Sequence, residues 1–158
     1  MALAVFTSIF TACGGDENDA TKDMETPKIV ETGITANPID CQVYAKGDVI
    51  HFEYLFTDNI ELGNYNIEIH HNFDHHTHGT SATTCPLEPK ITDKNLIPKN
   101  AWVYNHTFAI PAGSKRFLGK TDIIVPETIA PGDYHFMIKV TDQSGWPEYK
   151  SMSIKIKK

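Results

Sequence analysis

The sequence predicts an all-β sandwich of about seven strands, and three observations carry the prediction. Apolar residues recur at every second position in segment after segment. No stretch longer than one turn shows the 3.6-residue spacing of a helix, and Gly, Pro, Asn and Asp separate the alternating segments where turns are expected. A chain of 158 residues, 41% of them hydrophobic, is one ordinary domain plus a modest extension and can bury a core. Its net charge of -6 would repel phosphates, which argues against nucleic acid as a partner.

Residues 1–13 are apolar or small and uncharged, after which the chain turns to Gly14-Gly15-Asp16-Glu17-Asn18-Asp19. They read as a secretion signal, and Phe10-Thr11-Ala12-Cys13 resembles the lipobox at which lipoprotein signal peptides are cut and the cysteine acylated. Cys13 is therefore the expected lipidation site, holding the protein on a membrane through two or three acyl chains. Basic residues usually open such a signal; their absence leads us to expect a start codon upstream of Met1. Residues 14–27 are acidic and nearly devoid of apolar side chains, so they are expected to form a flexible tether. No apolar run is long enough for a transmembrane helix.

The folded domain is expected over residues 28–158. Lys28 to Ala36 reads as an edge strand, ended by Asn37-Pro38-Ile39-Asp40. In Val49 to Thr57, Ile50, Phe52, Tyr54 and Phe56 share one face and predict a core strand. Tyr65, Ile67, Ile69, His71 and Phe73 then alternate with Asn66, Glu68, His70, Asn72 and Asp74. Residues 75–106 carry no sustained period and form a long His-rich excursion, a length that points to function or disorder. Strands resume at Thr107 to Ile110, Leu118 to Val125, Tyr134 to Thr141 and Lys150 to Lys157, and the outward Lys155 and Lys157 of the last would discourage edge pairing.

Five of the eight histidines fall between His70 and His78, the densest group of possible metal ligands in the chain. Imidazole is the commonest ligand for transition metals, and Asp74 adds a carboxylate. Zinc is the expected ion, with copper or nickel as alternatives. The plainer reading is a set of solvated loop histidines, since no diagnostic spacing such as His-Glu-x-x-His occurs. His71 points to the apolar face and is expected to pack in the core.

Pro131-Gly132-Asp133-Tyr134 entering a strand, Asp142-Gln143-Ser144-Gly145 leaving it, and Thr57-Asp58-Asn59-Ile60-Glu61-Leu62-Gly63 resemble the connections of immunoglobulin-like bacterial surface domains. With the His-rich run and the N-terminal signal, the chain resembles a family of Bacteroidetes lipoproteins carrying a single Ig-like domain of unknown function. That resemblance implies an Ig-like Greek-key sandwich and brings no catalytic residues. The acidic run behind Cys13 likewise resembles the signal that sends such lipoproteins to the outer face of the outer membrane, a solvated linker being the alternative.

Threaded on such a sandwich, the strand ending near His70 and the penultimate strand are antiparallel neighbours, so His70 and His135 would face each other. His70, His76, His78 and His135 form the expected ligand set, with Asp74 or His106 as substitutes. With Cys13 acylated, Cys41 and Cys85 remain as an even pair, and a disulfide between them would tie the excursion to the sandwich. Closing that loop would stabilise the fold by about 4 kcal/mol. The alternative makes Cys85 a thiolate ligand.

Two other functions fit the same residues. One is an adhesion module without metal, in which Trp102, Tyr104, Trp146 and Tyr149 present faces to a glycan or the loops meet a surface protein. The other is a metalloenzyme resembling copper and zinc superoxide dismutases, but adjacent His70 and His71 lie on opposite strand faces where that family has a His-x-His pair. No Gly-x-Ser-x-Gly elbow or other catalytic motif is present, so the chain is not expected to be an enzyme.

Overall fold

The longest alternating segments set the core. In the computed structural model, which describes residues 22–77 and 85–157, the strands are β1 (Lys28–Val30), β2 (Gln42–Tyr44), β3 (Val49–Thr57), β4 (Leu62–His71), β5 (Tyr104–Ala109), β6 (Arg116–Ile124), β7 (Gly132–Asp142) and β8 (Pro147–Ile156). One short 3-10 turn, Lys94–Leu96, lies between β4 and β5. The strands form two sheets, ordered β1-β3-β6 and β2-β8-β7-β4-β5.

Period-2 alternation sends one face of each long strand inward. Ile50, Phe52, Tyr54 and Phe56 of β3 meet Tyr65, Ile67 and Ile69 of β4, Tyr134, Phe136, Ile138 and Val140 of β7, and Met152, Ile154 and Ile156 of β8 in one buried cluster. The rings of Phe52 and Phe136 bridge the sheets with centroids 6.1 Å apart. Because β3 and β4 lie in different sheets, as do β6 and β7, the chain crosses between layers in the Greek-key manner of Ig-like sandwiches. Tyr134 fixes one crossing: its hydroxyl donates to the Ala130 carbonyl at 2.7 Å, closing the corner at which β7 begins, and accepts from the Trp102 amide. Burial holds the Tyr134 hydroxyl above its ordinary pKa. Gly132 stands at the same corner with φ 137, and a Cβ there would lie 2.7 Å from the Phe73 ring.

The structure corrects four expectations. β1 spans only Lys28–Val30, because the chain turns at residues 32–35 and Gly33 takes φ 77. The final strand is not an edge: β2 pairs with it in parallel, Gln42 opposite Ile154. Lys155 accordingly does not guard an open edge but reaches Glu88 at 3.2 Å and Asp133 at 3.5 Å. Burial works against its charge, and those two carboxylates outweigh it, raising its pKa. The irregular excursion ends earlier than residue 106, since β5 begins at Tyr104 and takes His106 into the strand. Finally, the tether is not free up to residue 27: Asp23 is 5% exposed and its carbonyl accepts from the Trp146 indole. Tertiary contact orders a segment too polar to order itself. The expected signal, residues 1–13, and Cys13 lie outside the described residues.

Candidate metal centre

The register of β4 against β7 places the first two histidines. Ile69 pairs with Phe136 on the inner face, so the next pair, His70 with His135, stands on the outer face. Directly opposed side chains on an antiparallel ladder have Cβ atoms about 4.5–5.5 Å apart, and here the two ring centroids are 5.4 Å apart.

The third histidine arrives by a reversal of the chain. The Asn72 amide donates to the Asp133 carbonyl at 2.8 Å, Phe73 buries its ring beside Tyr134, and His75 takes φ 51 with its amide on the Asn72 carbonyl. This turn brings His76 back over the outer face. Its carbonyl lies 3.1 Å from His135 Nε2, and its ring centroid is 5.4 Å from that of His70 and 5.0 Å from that of His135. Imidazoles on one zinc at about 2.0–2.1 Å in a tetrahedron hold their centroids roughly 5 Å apart, the spacing seen among these three rings.

Two carboxylates stand behind the rings. Asp74 Oδ1 lies 2.6 Å from His76 Nδ1, a hydrogen bond that holds the Asp74 carboxyl below the usual range. Glu68 Oε1 lies 3.0 Å from His70 Nδ1, an electrostatic contact set off the line of a good hydrogen bond. A carboxylate on Nδ1 fixes the tautomer and orientation of an imidazole and leaves Nε2 for a metal. Asp74, which the sequence offered as a metal ligand, is bonded here to the His76 imidazole. The His70 side chain is 18% exposed and that of His76 34%, so the cluster opens to solvent on one side.

The remaining expected residues divide clearly. His78 lies outside the described residues. His106 pairs with Ile67, whose side chain faces inward, so it stands on the opposite face of the sheet from His70 and packs edge-on against Phe108 at 4.5 Å. The structure does not bring it to the cluster. His71 is half-buried and stacks on Phe73 at 5.1 Å, a packing role with its Nδ1 enclosed. Cys41 and Cys85 form the disulfide, which removes the thiolate alternative and ties the chain beyond His76 to the start of β2.

Of the aromatics offered to a glycan, Trp102 is 5% exposed and belongs to the core. Trp146 is spent partly on Asp23, while Tyr149 is exposed and receives Lys139 over its ring at 5.8 Å.

Sequence reasoning missed one group altogether. Among the described residues, Asp23, Asp58 and Asp142 are the set whose ligand atoms all lie within 4.8 Å of one another. The three imidazoles are gathered without that degree of closure. No pattern could have found the acidic set, because its members lie far apart in the chain, one before β1, one between β3 and β4 and one at the end of β7.

Fold and cluster define a small Ig-like β-sandwich with a histidine patch on the outer face of its larger sheet. A family model for a domain of unknown function, DUF4625, matches residues 11–157, and the chain belongs to that family. No curated protein matches it.

Proposed function

We propose that the protein is an exported, lipid-anchored binding module whose histidine patch captures a transition metal, zinc first. The observation that carries the reading is the assembly of His70, His76 and His135, ring centroids 5.0–5.4 Å apart, with Asp74 and Glu68 on two of their Nδ1 atoms. His78, two residues beyond His76, supplies a fourth imidazole in sequence. Three or four imidazole nitrogens, one ring hydrogen-bonded to the Asp74 carboxylate and another beside that of Glu68, suit zinc, and the open side of the cluster suits an exchangeable ion.

Export is supported by the Cys41–Cys85 disulfide, a bond characteristic of oxidising compartments. Among the described residues no helix is long and apolar enough to cross a membrane. Acylation of Cys13 and display on the outer membrane, as in the Bacteroidetes lipoproteins the sequence resembles, complete the proposal. The test is metal analysis of the full, untagged chain dialysed against zinc. Stoichiometric zinc, and a melting temperature that falls with chelator, are expected. Substoichiometric zinc together with an unchanged melting temperature would remove the metal-binding reading and leave the adhesion module.

A further inference from the structure

At the other end of the same two strands, the acidic group has the makings of a second and different site. Asp23 precedes β1, Asp58 begins the connection from β3 to β4, and Asp142 ends β7. Each carboxylate has one oxygen engaged by backbone donors. Asp23 Oδ1 accepts from the Glu25 amide at 3.2 Å, Asp58 Oδ2 from the Ile60 and Glu61 amides at 2.6 and 3.0 Å, and Asp142 Oδ1 from the Trp146 amide at 2.8 Å. These bonds fix the carboxylates in place, and one oxygen of each comes within 4.8 Å of the others.

Two of these three carboxylates also carry a buried oxygen without a partner among the described residues. Asp142 is 3% exposed, and its Oδ2 is buried with no hydrogen-bond partner among the described residues. Asp58 Oδ1 is in the same condition. No described lysine or arginine makes an ion pair with any of the three acids. Buried carboxylates are paired or coordinate a metal, and an enclosed carboxylate oxygen beside two other carboxylates repels both its neighbours and its own burial.

We infer that Asp23, Asp58 and Asp142 bind a hard divalent cation, calcium, which fastens the segment preceding β1 onto the sandwich. The donor set is all oxygen, which selects calcium or magnesium over the transition metals suited to the histidines. Two oxygens each about 2.4 Å from a calcium ion stand at most about 4.8 Å apart, so the observed closure fits one ion. Ligands drawn from three distant parts of the chain suit the irregular, adaptable geometry calcium accepts, whereas magnesium demands a near-ideal octahedron at about 2.0–2.1 Å. Close approach of the strands is built in: a Cβ on Gly63 of β4 would lie 2.8 Å from the Asp142 carbonyl. The bound ion would neutralise the three acids and, through Asp23 and the bond from Trp146 Nε1 to the Asp23 carbonyl, hold the chain where it leaves the N-terminal tether. The site is independent of the histidine patch.

The experiment is a calcium titration of the full chain, followed by melting temperature and Trp146 fluorescence. With an affinity in the range of extracellular calcium modules, about 0.1–1 mM, a hundredfold excess should raise the melting temperature by about 5–10 °C. Magnesium at equal concentration should give a smaller shift. Asp142→Asn keeps the oxygen that accepts from Trp146 and should fold, with a calcium response weakened at least tenfold. Asp58→Asn should behave alike. No calcium shift up to about 100 mM in the wild type, or an undiminished shift in both variants, would overturn the inference.

Discussion

At one end of the β4–β7 ladder His70 faces His135, and at the other, roughly 27 Å of strand away, Leu62 faces Asp142. The first end gathers imidazoles on an outer face open to solvent, and the second gathers carboxylates where the segment before β1, the β3–β4 connection and the end of β7 meet. The same pair of strands thus presents borderline nitrogen donors at one end and hard oxygen donors at the other, the donor types that the proposed zinc and calcium sites require. Burial separates their roles. An open patch can exchange its ion and suits capture, whereas an enclosed site joining distant parts of the chain suits structural fastening.

Acidity should split the two ends most sharply. Zinc needs neutral imidazole nitrogens, so lowering the pH from about 7.5 to 5 should weaken its binding by at least about a thousandfold, while calcium on carboxylates stays. Parallel zinc and calcium titrations by calorimetry at the two pH values check this. Equal losses at both ends would show that one global change, and not ligand chemistry, governs binding.

Breaking the disulfide comes next in size. Replacing Cys41 and Cys85 by Ser should destabilise the fold by about 4 kcal/mol in urea unfolding, the chain-entropy cost of reopening a loop of 44 residues. It should also weaken zinc by freeing the chain beyond His76 and leave the calcium response in place. A variant that loses both responses equally would contradict the independence of the two ends.

His76→Ala should weaken zinc by at least about a hundredfold, since it removes one ligand of a small set. His106→Ala, on the other face of the sheet, should leave zinc affinity unchanged. Asp74→Asn is the mildest change: it keeps every proposed ligand and loosens one, so zinc affinity should fall about tenfold, with the melting temperature of the metal-free chain nearly constant. Asp74 would have to be read as a ligand if this substitution proved as damaging as His76→Ala.

The parts of this comparison were legible in the sequence to different degrees. Strands β3, β4, β7 and β8 announce themselves through runs of alternating apolar residues: Ile50 to Phe56, Tyr65 to Ile69, Tyr134 to Val140 and Met152 to Ile156. The pairing of His70 with His135 follows from that parity when β4 and β7 are neighbours, as they are. β2 was invisible, for three residues cannot display a period and its partner lies at the far end of the chain. The misplacement of His106 has the same origin. Its strand begins three residues earlier than the Thr107 start read from the pattern, and a residue taken for a loop end is in fact locked to one face of a sheet. Asp23, Asp58 and Asp142 each looked like an ordinary turn or tether acid, and only tertiary structure makes them neighbours. The order at Asp23 was hidden for a similar reason, since it depends on a Trp146 indole from the other end of the domain.

The proposed metal centre requires His70, His76 and His135 to share one ion. Zinc titration of the wild type and of the His76→Ala, His135→Ala double variant, at neutral pH and with calcium held constant, tests that claim in one experiment. The wild type should take up stoichiometric zinc with a raised melting temperature. The double variant should fold, keep its calcium response and show no zinc-dependent shift. Wild-type zinc affinity in the double variant would contradict the assignment of the metal centre to this patch.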